Sequence, residues 1–203
     1  RSLVRTQLLL PHNQTRFGGF LIYGVTMKIP AIVGIAGLPR SGKDTVAEFI
    51  LAKYGGYRYA FADPIVRMLN ACFRTDFTSE EWVANKERPI PMAGNKSPRE
   101  LRQLLGTEWG RNMVDKDLWI TLAKAERIRN GPGMVIPDVR FPNEATFIRE
   151  RGVLIHVEGP HGFVTHAHSS DTPLARLTDD LVIVNDGTLS DLQQKVEALF
   201  DVA

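Results

Sequence analysis

Residues Gly37-Leu38-Pro39-Arg40-Ser41-Gly42-Lys43-Asp44-Thr45 set glycine, glycine-lysine and a hydroxyl at the spacing G-x-x-x-x-G-K. Such a loop turns its backbone N–H groups inward as an anion-binding nest, and Lys43 adds a point charge for the outer phosphates of a nucleotide. Gly37, Pro39, Ser41 and Gly42 shape the nest. Asp44 departs from the usual pattern, in which Ser or Thr follows the lysine and ligates Mg²⁺. Here the hydroxyl comes one residue later, at Thr45. A carboxylate beside a triphosphate is repulsive unless a cation lies between them. Asp44 therefore reads either as facing the metal, or as a helix cap that leaves the metal to Thr45.

Other residues could share this chemistry. Asp138 ends the apolar run 134–137, and doubly wound sheets bind ligands at the C-terminal ends of their strands. Asp138 is thus expected near the phosphate loop. Arg99 and Arg102 lie three apart on one helical face, where like charges cost about a few tenths of a kcal/mol. An anion between them would reverse that sign; a solvated basic face is the plain alternative. His161, His166 and His168 invite a zinc reading, but neither cysteine nor a second ligand cluster accompanies them. The polar stretch 159–180 reads instead as a lid, with Arg176 as its phosphate contact.

The elements that must position these groups follow from the pattern. The run 31–36 is apolar and β-branched, as a buried parallel strand requires. A helix follows the loop and stops at Gly55-Gly56. Residues 57–61 read as a second strand, after which Asp63 as N-cap and Pro64 at the first position open a helix through Phe73. The stretch 75–96 reads as an insertion, helical around 79–86 and broken by Pro89, Pro91 and Gly94. Ser97, Pro98 and Glu100 form a capping signature for a helix running to about Met113. Leu101, Leu104, Leu105 and Trp109 are expected on its core face. Further helices are predicted over 116–130, from the segment 139–144 to Gly152, and from about Leu189 to Phe200. Strands are expected at 134–138, where Pro137 should fray the ladder, at 153–157 and at 181–184. This alternation predicts an α/β fold with a parallel β-sheet flanked by helices and one helical insertion.

At 203 residues the chain suits one such domain with an insertion. A net charge of +2, without a basic block interleaved with aromatics, gives no sign of a nucleic-acid partner. No apolar run approaches the roughly 20 residues of a membrane span, so no membrane partner is expected. The single cysteine, Cys72, excludes an internal disulfide and reads as a buried thiol. Residues 1–26 hold no Asp or Glu, carry Arg1, Arg5 and Arg16, and lack a period. They read as an upstream or non-native leader outside the fold, with Met27 as the native start and a transit presequence as the alternative. The domain is then 27–203, with the insertion at about 63–130 and the lid at about 159–180.

With these segments in place the chain resembles the phage-type deoxynucleoside monophosphate kinases, a group of P-loop nucleotide kinases. The resemblance is carried by Arg40-Ser41-Gly42-Lys43-Asp44-Thr45, Phe61-Ala62-Asp63-Pro64 and Pro98-Arg99-Glu100-Leu101. Leu105-Gly106-Thr107-Glu108-Trp109-Gly110-Arg111, Asp138-Val139-Arg140-Phe141-Pro142-Asn143-Glu144 and Asn185-Asp186-Gly187 complete it, all in family order.

The resemblance implies in-line transfer of the γ-phosphoryl group from ATP, with Mg²⁺, to a nucleoside monophosphate. Positioning and charge neutralisation then matter more than covalent chemistry. Lys43, Arg40, Asp138 and Arg140 take the catalytic roles, Asp138 as an orienter of Mg²⁺ rather than a base. Asp44, Thr45 and Asp138 are the metal-facing set. Asp63, Arg67, Arg99, Arg102, Gln103, Thr107 and Arg111 fall to the acceptor, and Asn185 and Gly187 to the loop beside adenine. A cytoplasmic location is implied, and a homodimer is compatible with it. Two rival readings keep the loop: a kinase for a phosphorylated non-nucleotide, and a nucleotide-binding module without turnover.

Overall fold

The computed structural model describes residues 21–22, 25–26, 29–75, 77–159 and 174–201. Leu21–Ile22 (β1) and Val25–Thr26 (β2) pair antiparallel, separately from the main sheet. The main elements are strand Ile32–Ala36 (β3), helix Lys43–Tyr54 (α1), strand Tyr57–Arg58 (β4), and helices Asp63–Phe73 (α2), Ser79–Ala84 (α3) and Pro98–Gln103 (α4). A π-helix, Leu104–Val114, continues directly from α4. Helix Leu118–Asn130 (α5), strand Met134–Ile136 (β5), helix Pro142–Arg149 (α6), strands Val153–Glu158 (β6) and Leu181–Val184 (β7) and helix Leu189–Phe200 (α7) complete the chain.

The five main strands are parallel in the order β4-β5-β3-β6-β7. β3 is buried along its whole length, as a central parallel strand covered on both faces should be. Its alternate residues supply two cores. Val33 and Ile35 pack with Val46 and Ile50 of α1 and Leu192 and Val196 of α7. Ile32 and Ala36 face α2, α5 and α6 through Ile65, Leu69, Trp119, Phe147 and Ile148. Neighbouring strands on both sides of β3 thus bring their C-terminal ends to one edge, where the phosphate loop departs.

The expected α/β architecture is present, with local corrections. β4 is two residues long rather than five, although the Tyr59 N–H still donates to the Val135 carbonyl at 2.9 Å. The chain then turns into α2, whose N-cap is Ala62; Asp63 is the first helical residue and accepts the Ala60 N–H at 2.8 Å. Cys72 is exposed. The apolar stripe of α2 passes from Leu69 to the half-buried Phe73, and Cys72, turned by about 100° from Phe73, faces outward. β5 ends at Ile136, ahead of Pro137 as its missing N–H requires.

The largest departure lies after Ser97. Its capping box is present: Glu100 N–H donates to Ser97 Oγ, and Ser97 N–H donates to Glu100 Oε2. At Leu104 the backbone widens into a π-helix of eleven residues, well beyond the usual single turn. Gly106 and Gly110 allow it. A Cβ on Gly110 would lie 2.4 Å from the Trp119 ring, and Trp119 Nε1 donates to the Gly106 carbonyl at 2.7 Å. With about 4.4 residues per turn, positions five apart share a face. Leu104 and Trp109 accordingly point outward together, 40% and 39% exposed, instead of joining the core. Leu101 and Leu105 do pack against it.

Candidate active site

The phosphate loop is held open by left-handed backbone at Arg40 (φ 65°) and Gly42 (φ 101°). Gly37 has no room for a side chain, because a Cβ there would lie 2.4 Å from the Val157 carbonyl. The Ser41 N–H closes onto the Leu38 carbonyl at 3.2 Å. Ser41 Oγ is buried and has no hydrogen-bond partner among the described residues, so a hydroxyl stands ready within the loop for an oxygen ligand. Positive-φ turns, a helix N-terminus and this orphaned hydroxyl together fit a chain of phosphates.

Lys43 opens α1 and donates Nζ to the Leu38 carbonyl at 2.9 Å. Burial pushes its ammonium below the ordinary lysine range; Arg140 adds to the fall, while Asp138 and Asp44 oppose it. Asp138 is therefore near the loop, as its place after β5 predicted. It accepts Arg140 Nε at 2.8 Å and Nη2 at 2.7 Å. Arg102 belongs to the same cluster: burial lowers its affinity for a proton, with Arg140 reinforcing and Asp138 and Asp63 opposing. A half-buried guanidinium on α4 thus lies within electrostatic reach of the Asp138–Arg140 pair.

The two arginines of α4 are engaged differently. Arg99 donates Nη1 to Glu87 at 3.1 Å, and its backbone N–H goes to the Lys86 carbonyl. Gln103 lines a groove with Lys96, Glu100, Leu104 and Glu108 on the outer side of the helix. Thr107 is half-buried, and Arg67 is exposed on α2. Arg111 turns inward to a buried ion pair with Glu144.

Asp44 does not cap α1: Gly42 is the N-cap, without any side-chain hydrogen bond. Asp44 pairs with Arg58 of β4 at 3.1 Å, a partner that sequence spacing did not suggest. Among the described residues no group of three or more His, Cys, Asp or Glu could hold a metal ion. Thr45, half-buried on the first turn of α1, and Asp138, across from Lys43, suit Mg²⁺, which takes one or two protein oxygens and completes its shell with phosphates and water.

On the other flank, Asn185 donates Nδ2 to the Ser41 carbonyl at 2.9 Å, and its N–H to the Glu158 carbonyl at 2.6 Å. Asp186 pairs with Lys195, and Thr188 caps α7 in a reciprocal box with Asp191. Gly187, Asp186 and Lys195 line an open pocket beside this turn. Arg176 pairs with Glu158 at the end of β6, at 3.3 Å. His161, His166 and His168, with most of the expected lid, lie outside the described residues.

Glu144 was legible only in part. Pro142 and Glu144 repeat the helix-start signature of Pro98 and Glu100, and Glu144 does reach back to the Phe141 N–H at 3.1 Å. Its pairing with Arg111, 33 residues away, leaves no local trace.

The family model for deoxynucleotide monophosphate kinase matches residues 31–90 and 83–196. A putative deoxynucleotide monophosphate kinase of Acanthamoeba polyphaga mimivirus is 29% identical over 190 residues, covering 85% of this chain and 97% of that protein. The deoxynucleotide monophosphate kinase of Enterobacteria phage T4 is 24% identical over 233 residues, covering 82% and 97%. The deoxynucleoside-5'-monophosphate kinase of Escherichia phage T5 is 34% identical over 102 residues, covering 45% and 41%. Among the described residues no helix is long and apolar enough to cross a membrane.

Proposed function

The chain belongs to the deoxynucleotide monophosphate kinase family, and on that premise we propose how its own residues carry out ATP-dependent phosphorylation of a deoxynucleoside monophosphate. The reading rests on one observation above all: the half-buried Arg102 and Lys43 both lie within electrostatic reach of the paired Asp138 and Arg140. Donor and acceptor phosphates need adjoining cationic sites, and this cluster supplies them from two different parts of the fold.

Lys43 and the backbone N–H groups of the phosphate loop hold the outer phosphates of ATP, with Arg40 at the rim. Contact with phosphate restores to Lys43 the proton affinity that burial removes. Arg102 binds the acceptor phosphate. Arg140, whose charge reaches both Lys43 and Arg102, follows the charge that moves between the two oxygens. Thr45 and Asp138 would hold Mg²⁺, which would offset the negative charge of the phosphates during transfer. A phosphate monoester is already ionised at neutral pH, so no general base is required. Asn185 supports the loop on the nucleoside side of ATP, and the domain responsible is 27–203.

Release of ADP, measured across the four deoxynucleoside monophosphates and across sugar phosphates, tests the reading. Turnover with a deoxynucleoside monophosphate supports it; turnover with sugar phosphates alone overturns it.

A further inference from the structure

Glu144 has no role in the scheme above, yet it joins both halves of the cluster. It is 2% exposed. Its Oε1 accepts Arg111 Nη2, and its Oε2 accepts the backbone N–H groups of Arg140 at 2.9 Å and Phe141 at 3.1 Å. The Arg111 guanidinium lies 3.9 Å from the centre of the Phe141 ring, a stacked cation–π contact. Arg140, fixed at its backbone by Glu144, is the same residue whose side chain grips Asp138. One carboxylate therefore ties the π-helix to the turn that follows β5.

The π-helix makes this tie reachable. Arg102 and Arg111 are nine residues apart. At α-helical pitch they would point to opposite sides, about 180° apart. With the widened pitch from Leu104 onward the separation falls to about 50°, so both arginines address the segment 138–144. Arg102 feels the charges of Asp138 and Arg140, and Arg111 pairs with the carboxylate of Glu144.

A buried ion pair is seldom the most stable filling for its volume, because desolvation offsets much of the attraction. Two apolar side chains would fill this space as well, but they could not hold the Arg140 and Phe141 N–H groups. We propose that Glu144 is a positioning residue for phosphoryl transfer: through Arg111 and the Arg140 backbone it sets the distance between the acceptor arginine Arg102 and the Asp138–Arg140 pair. The proposal rests on the phosphoryl-transfer reading above. Buried at 2% exposure, Glu144 acts through Arg140 and the π-helix rather than by direct contact with a ligand.

Glu144→Gln in the full chain tests this. The amide oxygen can keep the two backbone N–H groups, while the amide nitrogen meets the Arg111 guanidinium donor to donor. The expected result is a ten- to hundredfold fall in kcat/KM for the monophosphate, with KM for ATP within twofold of wild type, at a temperature well below the variant's melting point. A lower melting temperature with unchanged kinetics would make Glu144 purely structural and overturn the proposal. Equal losses towards both substrates would overturn it too, since the whole site would then have been disturbed. Should Glu144→Gln not fold, Arg111→Lys carries the test. It keeps the charge opposite Glu144 but loses the planar fork and the stacking on Phe141. The same split between the two substrates is expected at smaller size, and wild-type kinetics would refute the idea. A wild-type chain that turns over no monophosphate at all defeats the phosphoryl-transfer reading itself, a result distinct from either variant outcome.

Discussion

Asn185, in the turn after β7, donates its side-chain N–H to the Ser41 carbonyl at 2.9 Å, so that turn and the phosphate loop are one mechanical unit. Gly42 sits directly beneath the contact: a Cβ there would lie 2.6 Å from Asn185 Nδ2. The bond joins residues 144 positions apart and holds a loop whose left-handed backbone would otherwise relax.

Asn185→Ala should therefore weaken ATP binding more than it weakens the fold. Loss of one such hydrogen bond is worth about 1 kcal/mol, or roughly fivefold in KM for ATP. KM for the monophosphate should stay put. Steady-state kinetics with each substrate varied in turn checks this, and a change confined to the monophosphate would dissociate Asn185 from the phosphate loop.

Lys43→Ala should remove turnover and leave the fold intact, because Nζ contacts only a loop carbonyl among the described residues. Losing a preorganised charge at the transferring group costs on the order of 3 kcal/mol, about a hundredfold in rate. Single-turnover measurement of ADP formation reports it directly. A variant with more than half the wild-type kcat would take Lys43 out of the mechanism.

Arg102 and Arg99 should differ although they share a helix. Arg102→Ala is expected to raise KM for the monophosphate by about 1.5–3 kcal/mol, the range for a hydrogen bond to a charged group, with little change in KM for ATP. Arg99 is committed to Glu87 and to the Lys86 carbonyl at the rim, and Arg99→Ala should shift either KM far less. Equal effects from the two variants would restore the simple picture of one shared basic face.

Asp180 should set part of the acid sensitivity of the fold. It accepts Arg149 Nη2 at 2.7 Å and the Leu177 N–H at 2.8 Å, and lies 3.0 Å from His156 Nε2. Burial presses its carboxyl upward, but these partners outweigh burial and hold it below its ordinary value of 3.8. A carboxyl depressed by folding stabilises the fold above its unfolded value, and that stability drains away as pH falls through the folded value. Asp180→Asn should lower stability at pH 7 by about 1.5–3 kcal/mol, the range for hydrogen bonds to a charged group. It should also flatten the acid limb of the melting temperature against pH. An acid limb as steep as that of wild type would place the sensitivity elsewhere.

Whatever rests on short-range geometry could be read from the amino acids alone. The phosphate loop is defined by glycines within one turn and by a lysine at the first helical position, so Gly37, Gly42 and Lys43 announced themselves. The capping box at Ser97 and Glu100 and the end of β5 before Pro137 are equally local, each depending on a missing or redirected N–H within four residues. Alternation of apolar runs was enough for the parallel sheet and its flanking helices.

Pairings between distant segments, and the pitch of the insertion helix, were decided by tertiary structure. Asp44 finds Arg58, Asn185 finds the Ser41 carbonyl, and Arg111 finds Glu144 only when separate elements are laid side by side. Nothing in 104–114 states that the helix widens there; an α-helical reading put Leu104 and Trp109 in the core, where the structure exposes them. Ile65 and Trp119, from other helices, pack so closely against Gly106 and Gly110 that a Cβ there would come within 2.9 and 2.4 Å of them. The chemistry of the site is thus written in its residue types, whereas the relative placement of Arg102, Arg111 and Arg140 is a product of packing, whose energy comes from contacts between segments that sequence distance keeps apart.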